Sequence, residues 1–318
     1  MEQPDETPLY DRMEREAHRL PCGGELACLD PLHRCDLYTR LAFERMCRKI
    51  GDLQHLYTAC GSNWNETFYR MLVRTAGDLE NRAAYTALAE RVTYGMILRE
   101  RPSLLRVEAL LFGASGLLEG CLDDAYTAEL REEFAHLSRK YEIRPMDAAA
   151  WQTGRIRPAN HPRLRLAQLA VFLVQHDFVV EAMLACRTRE DVERLFCVEA
   201  SPYWSSYYHP GQEVDHSGKR LGRQKAQTLG INLVAPFQFF FGRMNGREHL
   251  CEEALALWEA LPAERNRYIL HWKQAPLTVM NALESQALLQ LAREYCERGR
   301  CRACFVAPFR LQTLKNSR

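Results

Sequence analysis

The stretch DLYTRLAFERMCRKIGDL, residues 36–53, decides the fold class. Leu37, Leu41, Phe43, Met46, Ile50 and Leu53 recur at helical intervals, with charged residues between them, so one face is apolar and the other is wet. The same pattern continues to the end of the chain. Asn63 is placed to cap a second helix, with Glu66 three positions on completing a capping box and Phe68, Met71 and Leu72 forming its buried stripe. Further helices are expected at about 82–99, 103–119, 124–141, 162–185, 189–196, 221–241, 247–260, 264–274 and 281–297. Proline marks the breaks, at Arg101-Pro102, Arg157-Pro158, His161-Pro162, Ser201-Pro202 and Ala275-Pro276. Alternating strand patterns are absent, and only the apolar run Phe237–Phe241 resists assignment by periodicity. The expectation is an all-α, multi-helix bundle of about ten to twelve helices. Residues 1–35 are acidic and interrupted by proline, and read as an extended tail or the remnant of an upstream domain. The helical domain then covers 36–306, and 307–318 reads as a basic tail.

Composition narrows the function classes. The chain has 318 residues, 47% of them hydrophobic, with 42 basic against 41 acidic side chains and a net charge of +1. That is a globular composition with no global field to draw in nucleic acid or membrane, so any basic site must be local. No run approaches the ~20 apolar residues of a membrane span, and the polar start MEQPDETPLYDRMEREAH lacks a signal-peptide core. A cytoplasmic protein with no membrane partner is expected. Its twelve cysteines then read as free thiols or metal ligands rather than a disulfide framework. Cys47, Cys60, Cys121, Cys186 and Cys251 fall within apolar-periodic segments, where Cys is a small core residue.

The end of the chain is different. In YCERGRCRACF, residues 295–305, Cys296-x4-Cys301-x2-Cys304 follows a helix capped by Asn281 with Glu284 at its third position. Leu283, Ala287, Leu288, Leu291, Ala292 and Tyr295 form the apolar face of that helix and Cys296 extends it, while Gly299 can end it. Two thiols in a Cys-x2-Cys turn can share a metal with a third from the helix end. Zinc and iron–sulfur sites take four ligands, so one is missing locally; Cys22, Cys28, Cys35 or a distant His could supply it. Core thiols and a redox-active set are the other readings of the triplet. Arg298, Arg300 and Arg302 would offset thiolate charge, or simply favour a helix C-terminus.

Two further segments could bind an anion. SPYWSSYYHPGQEVDHSGKRLGRQKA, residues 201–226, brings Tyr203, Trp204, Tyr207 and Tyr208 before Lys219, Arg220, Arg223 and Lys225, the mixture single-stranded nucleic acid uses. A loop with inward aromatics and solvated cations is the plainer account. In RIRPANHPRLRLAQLA, residues 155–170, Arg155, Arg157, Arg163 and Arg165 surround a turn that opens a helix, with Asn160 as a cap and Gln168 one turn beyond Arg165. Arg157, Asn160, Arg163, Arg165, Lys219, Arg220 and Arg223 are the candidate phosphate contacts. Complete catalytic signatures are missing: there is no His-Glu-x-x-His, no Gly-x-Ser-x-Gly and no phosphate loop. His176-Asp177 stands alone, and the small residues of LLFGASGLLEG (110–120) fit close helix packing. Glu66, Glu108, Glu199 and Glu284 are explained by capping or helix-surface charge, so no catalytic residue is assigned.

Several segments together resemble a bacterial family, that of the domain of unknown function 2851. They are NWNETFYRML (63–72), VEALLFGASGLL (107–118), RPANHPRLRLAQLA (157–170), VEASPYW (198–204), KRLGRQKA with INLVAPF (219–237), LPAERN (261–266) and NALESQALLQLAREYCERGRCRAC (281–304). The resemblance implies a longer relative with a preceding nuclease-like α/β region, LPCGGEL (20–26) being the junction. This chain would then be the helical accessory part, working with a separate nuclease-like chain. Cys22 resembles a family position, which favours it as fourth ligand with Cys296, Cys301 and Cys304, for a 4Fe-4S cluster or alternatively zinc. Iron–sulfur nucleases that staple a domain through one distant Cys and a C-terminal triplet offer the pattern by analogy. The expectation is an uncharacterised helical module, metal-stapled, of a family that processes nucleic acid. Its alternative is a structural or protein-interaction protein with core cysteines and no metal.

Overall fold

The computed structural model describes residues 7–20, 22–77, 79–119, 124–209, 212–213 and 219–316. Helix dominates, and the only named strands among the described residues are the short antiparallel pair Tyr207–His209 and Gln212–Glu213. Contacts divide the chain into two compact units, residues 53–238 and residues 1–52 with 239–318. The Pro31–Ala59 and Ala235–Met244 helices contribute residues to both.

In the 53–238 unit, the caps read from sequence start helices as expected. Asn63 accepts from the Glu66 backbone N–H at 3.0 Å and opens Trp64–Ala76. The expected reciprocal half of that box is missing, because Glu66 is drawn to Arg70 at 2.8 Å and to the Tyr94 N–H at 2.8 Å. Its carboxylate thereby ties one helix to the start of the Tyr94–Glu100 helix. Two expected long helices are each broken into a pair. Val92 and Thr93 separate Arg82–Arg91 from Tyr94–Glu100, and His176 to Phe178 separate Pro162–Gln175 from Val179–Leu184. β-branched residues and a short polar interruption cost little where each half has its own buried face.

The Leu104–Ala114 and Pro162–Gln175 helices form the interior of this unit. Every residue from Val107 to Ala114 is buried, as is every residue from Leu164 to Leu173. Gly113 lets the first of these approach Ala125–Tyr141, since a Cβ there would stand 2.0 Å from the Phe134 ring. Close packing, expected for the GASG segment, is therefore its structural role. Gly113→Ala should destabilise the protein by about 2–3 kcal/mol through overpacking, read as a fall in the urea midpoint with unchanged slope. The ambiguous run at 237–241 is helical, continuing Arg223–Leu229 through a π-turn at Gly230–Val234. Buried Gln238 donates to the carbonyls of Met183 and Cys186 at 3.0 and 2.8 Å, closing the end of Val179–Leu184.

The other unit corrects the expectation of an extended acidic tail. Thr7–Glu16 and Gly23–Cys28 are helices, and Pro31 already begins the long helix. Leu9 and Met13 lie one turn apart and pack on Ala307 and Leu311. Those partners lie on Ala307–Asn316, so the 307–318 segment read as a basic tail is helical through Asn316. Proline and acidic residues hid this stripe because its partner is nearly a chain length away. Gly23 also approaches closely, a Cβ there standing 2.6 Å from that of Ala275.

Candidate functional site

Cys22, Cys296, Cys301 and Cys304 line one cavity of about 20 Å³ with Met13, Ala17, Tyr295 and Ala307. Four different local structures bring the thiols there. Cys22 precedes the Gly23–Cys28 helix, after Leu20 turns the chain through a left-handed conformation at φ 52°. Cys296 ends a π-turn, Leu291–Cys296, that continues the Ala282–Gln290 helix. Gly299, at φ 59°, then reverses the chain, with its N–H donating to the Cys296 carbonyl at 3.1 Å. Cys301 opens a short 3-10 turn, and Cys304 follows it just before Ala307–Asn316.

The described cysteines are all free thiols. Cys28 and Cys35 are exposed and are not among the residues lining the cavity. Of the cysteines expected in the core, Cys186 is buried, Cys47, Cys60 and Cys251 are half-buried, and Cys121 lies outside the described residues. Among the described residues, no three His, Cys, Asp or Glu side chains converge closely enough to hold a single ion. The four sulfurs thus surround a common space without closing on one point.

Burial governs the thiols electrostatically. Cys22 is pushed up to about 12, first by desolvation and then by its neighbours Cys304 and Glu25. Cys296 is raised further by the same burial and by the three other cysteines. Cys301 rises to about 11 for burial and Cys304. Cys304 is also raised by burial, with the backbone N–H groups of Val306 and Ala307 pulling the other way. The arginines expected to offset thiolate charge are largely engaged elsewhere. Arg302 bridges Asp11 and Glu14 at 2.7 Å each and Arg298 pairs with Glu294 at 3.1 Å; Arg310, outside the expected set, pairs with Glu25 at 2.6 Å. Arg310 and Arg302 still lower Cys22 and Cys301 from a distance.

The expected phosphate contacts separate into interior and surface. Arg165 and Lys219 are 6% and 4% exposed, so they are interior residues. Arg165 donates to Asn160 at 2.8 Å and Gln168 at 3.0 Å, and Gln168 donates to the Lys219 carbonyl at 3.0 Å. Asn160 therefore holds Arg165, and the cap expected of it is made by His161, whose ring accepts from the Arg163 N–H at 3.3 Å. Half-buried Arg163 donates to the Leu117 carbonyl at 3.1 Å. Arg157, Arg220 and Arg223 are exposed, with Arg223 3.6 Å from Glu193. Of the aromatics, Trp204 is fully buried and stacked on Phe112 at 4.3 Å, while Tyr203 is half-buried between the rings of Tyr126 and Tyr207. The Tyr208 side chain and the loop at 214–218 lie outside the described residues.

Sequence reasoning placed Glu108 on a helix surface, but it is 0% exposed. Tyr126 donates its hydroxyl to Oε2, Trp204 donates its indole N–H to the same oxygen at 3.1 Å, and the Ser201 hydroxyl lies beside the carboxyl. Oε1 has no hydrogen-bond partner among the described residues. Burial raises this carboxyl above its ordinary range despite those donors. The signal was available only in part: Val107–Ala114 is otherwise apolar, so a lone Glu within it stands on a buried face.

Comparison with known proteins gives one family and no characterised relative. No curated protein and no solved structure matches the chain. The family described as protein of unknown function (DUF2851) matches over residues 3–267, which includes the N-terminal helices and Cys22 but not the C-terminal cysteine triplet. With that match covering most of its length, the chain belongs to the DUF2851 family.

Proposed function

We propose that this chain is a helical accessory module whose first and last segments are stapled by a metal centre on Cys22, Cys296, Cys301 and Cys304, in a family that processes nucleic acid. The observation that carries the reading is the convergence of four cysteines from opposite ends of the chain on one cavity. Core thiols require burial but not a shared space. The donor set is that of a 4Fe-4S cluster, whose four irons each take one thiolate, whereas zinc would need the sulfurs to close on one point. Met13, Ala17 and Ala307 supply an apolar wall that would keep water from the centre. Metal and sulfide analysis on protein purified without oxygen tests it, repeated with Cys301→Ser and Cys304→Ser combined. Iron with sulfide and a visible absorption band identifies a cluster, and about one equivalent of zinc identifies a single-ion staple. Neither metal in the unmodified protein returns the triplet to core packing and favours the protein-interaction alternative.

The nucleic-acid part rests on Arg157, Arg220 and Arg223, the members of the candidate set that are exposed. Arg220 and Arg223 lie near one another, both acting on the Cys197 thiol. Replacing both with Glu should weaken single-stranded DNA or RNA binding and flatten the logarithmic salt dependence by about 1.4 or more, the share of two single-strand phosphate contacts. Unmodified protein that binds neither strand at low salt removes this part and leaves the staple standing. Among the described residues no helix is long and apolar enough to cross a membrane.

A further inference from the structure

We propose that Tyr295, held in place by Glu44, is the lid of the cysteine centre and controls how fast metal and oxidant exchange through it; this rests on the metal-centre reading above. Tyr295 is the one residue lining the cavity that carries both a large ring and a hydrogen-bonding tip. Its hydroxyl donates to the Glu44 carboxylate, 3.0 Å from Oε1 and 2.9 Å from Oε2. Gln290 Nε2 is 3.4 Å from the same carboxylate, one helical stretch earlier on the same element. A tyrosine ring at a half-exposed position would ordinarily sample more than one rotamer. Anchoring its tip to a carboxylate on the Pro31–Ala59 helix fixes it against the cavity.

The backbone is built to permit this. The Leu291–Cys296 stretch is a π-turn, with the Glu297 N–H donating to the Ala292 carbonyl at 2.8 Å. One extra residue per turn rotates the sequence relative to an α-helix, which lets Tyr295 and its neighbour Cys296 both line the same space. Phe305 packs on Tyr295 with ring centroids 6.2 Å apart. The ring is thus braced by an aromatic neighbour and tethered by an acid, while the thiols behind it are supplied by other residues. Glu44 has hydrogen bonds to Tyr295 and Gln290, its charge reaches Cys304, and it acts as a positioning residue through Tyr295.

The test is the first-order rate of metal loss from the purified holoprotein to an excess of a coloured chelator, measured without and with oxygen. Tyr295→Phe keeps the ring and removes the tether; Glu44→Ala removes the anchor and leaves the ring. Each should speed metal loss by about fivefold or more, and the two together should do no more than either alone, because both break the same contact. Glu44→Gln, whose amide oxygen still accepts from the hydroxyl, should stay near the unmodified rate. Unchanged rates in Tyr295→Phe and Glu44→Ala, or effects that multiply in the pair, overturn the lid. Unmodified protein without metal overturns the centre itself, a separate outcome. Thermal midpoints of the variants accompany the rates; a midpoint shift common to both with no change in rate also counts against the lid.

Discussion

Under the proposed staple, removing the metal from the purified protein should release the N-terminal helices while leaving the 53–238 unit intact. A metal shared by Cys22 and the C-terminal triplet, as proposed, would close a loop of most of the chain. By the chain-entropy argument such a closure is worth on the order of 5–6 kcal/mol. Without it, Thr7–Glu16 and Gly23–Cys28 rely on a small apolar contact, chiefly Leu9 and Met13 on Ala307 and Leu311, and on ion pairs of Arg302 with Asp11 and Glu14. Those pairs are largely exposed and contribute little. Hydrogen exchange should therefore show residues 7–28 and 296–311 losing protection together after chelation, with exchange at 104–114 and 164–173 unchanged. Protection at 7–28 that survives chelation would mean that packing alone holds the two ends.

The dependence on pH has a definite sign. The thiols of Cys22 and Cys301 are raised to about 12 and about 11 in the absence of metal. A raised folded-state value contributes stability that is present below the ordinary thiol range and is lost as pH rises through those values. Metal binding replaces the protons, so its affinity grows with pH over the same window. The gap in stability between metal-bound and metal-free protein should widen steadily from neutral to alkaline pH.

Local chemistry was legible in the sequence, and distant partnership was not. Asn63 and Asn281 cap the helices their spacing announces, because a cap is decided within four residues. The cysteine triplet was visible for the same reason. Cys22 was reached through a family resemblance, since nothing in its own neighbourhood distinguishes it from Cys28. The helix at Thr7–Glu16 was missed because Leu9 and Met13 find their partners on the last helix of the chain. Burial of charge was equally hidden: Arg165 looks like a surface cation, yet Asn160 and Gln168 hold it inside, and Gln168 in turn reaches the Lys219 carbonyl 51 positions on. Tyr295 belonged in the reading as part of an apolar face, but the acid that anchors its hydroxyl lies on the third helix.

Glu108 provides the second large effect. Glu108→Ala should cost about 3–4 kcal/mol, combining a buried cavity with the loss of the acceptor for Tyr126 and Trp204. Glu108→Gln preserves shape and one acceptor oxygen, and its cost should depend on pH. The donors around the carboxyl named above are neutral, and burial raises its folded-state value. The carboxyl then favours its protonated form, so it contributes most to stability below the ordinary carboxylate range and loses that contribution as pH rises through the raised value. Denaturant titrations of the two proteins from acid to neutral pH should show Glu108→Gln gaining on the unmodified chain as pH rises. A gap that is constant with pH would mean that Glu108 keeps one protonation state across the range. A gap that moves the other way would require a cation facing Oε1, and would turn a buried acid held by neutral donors into one half of an ion pair.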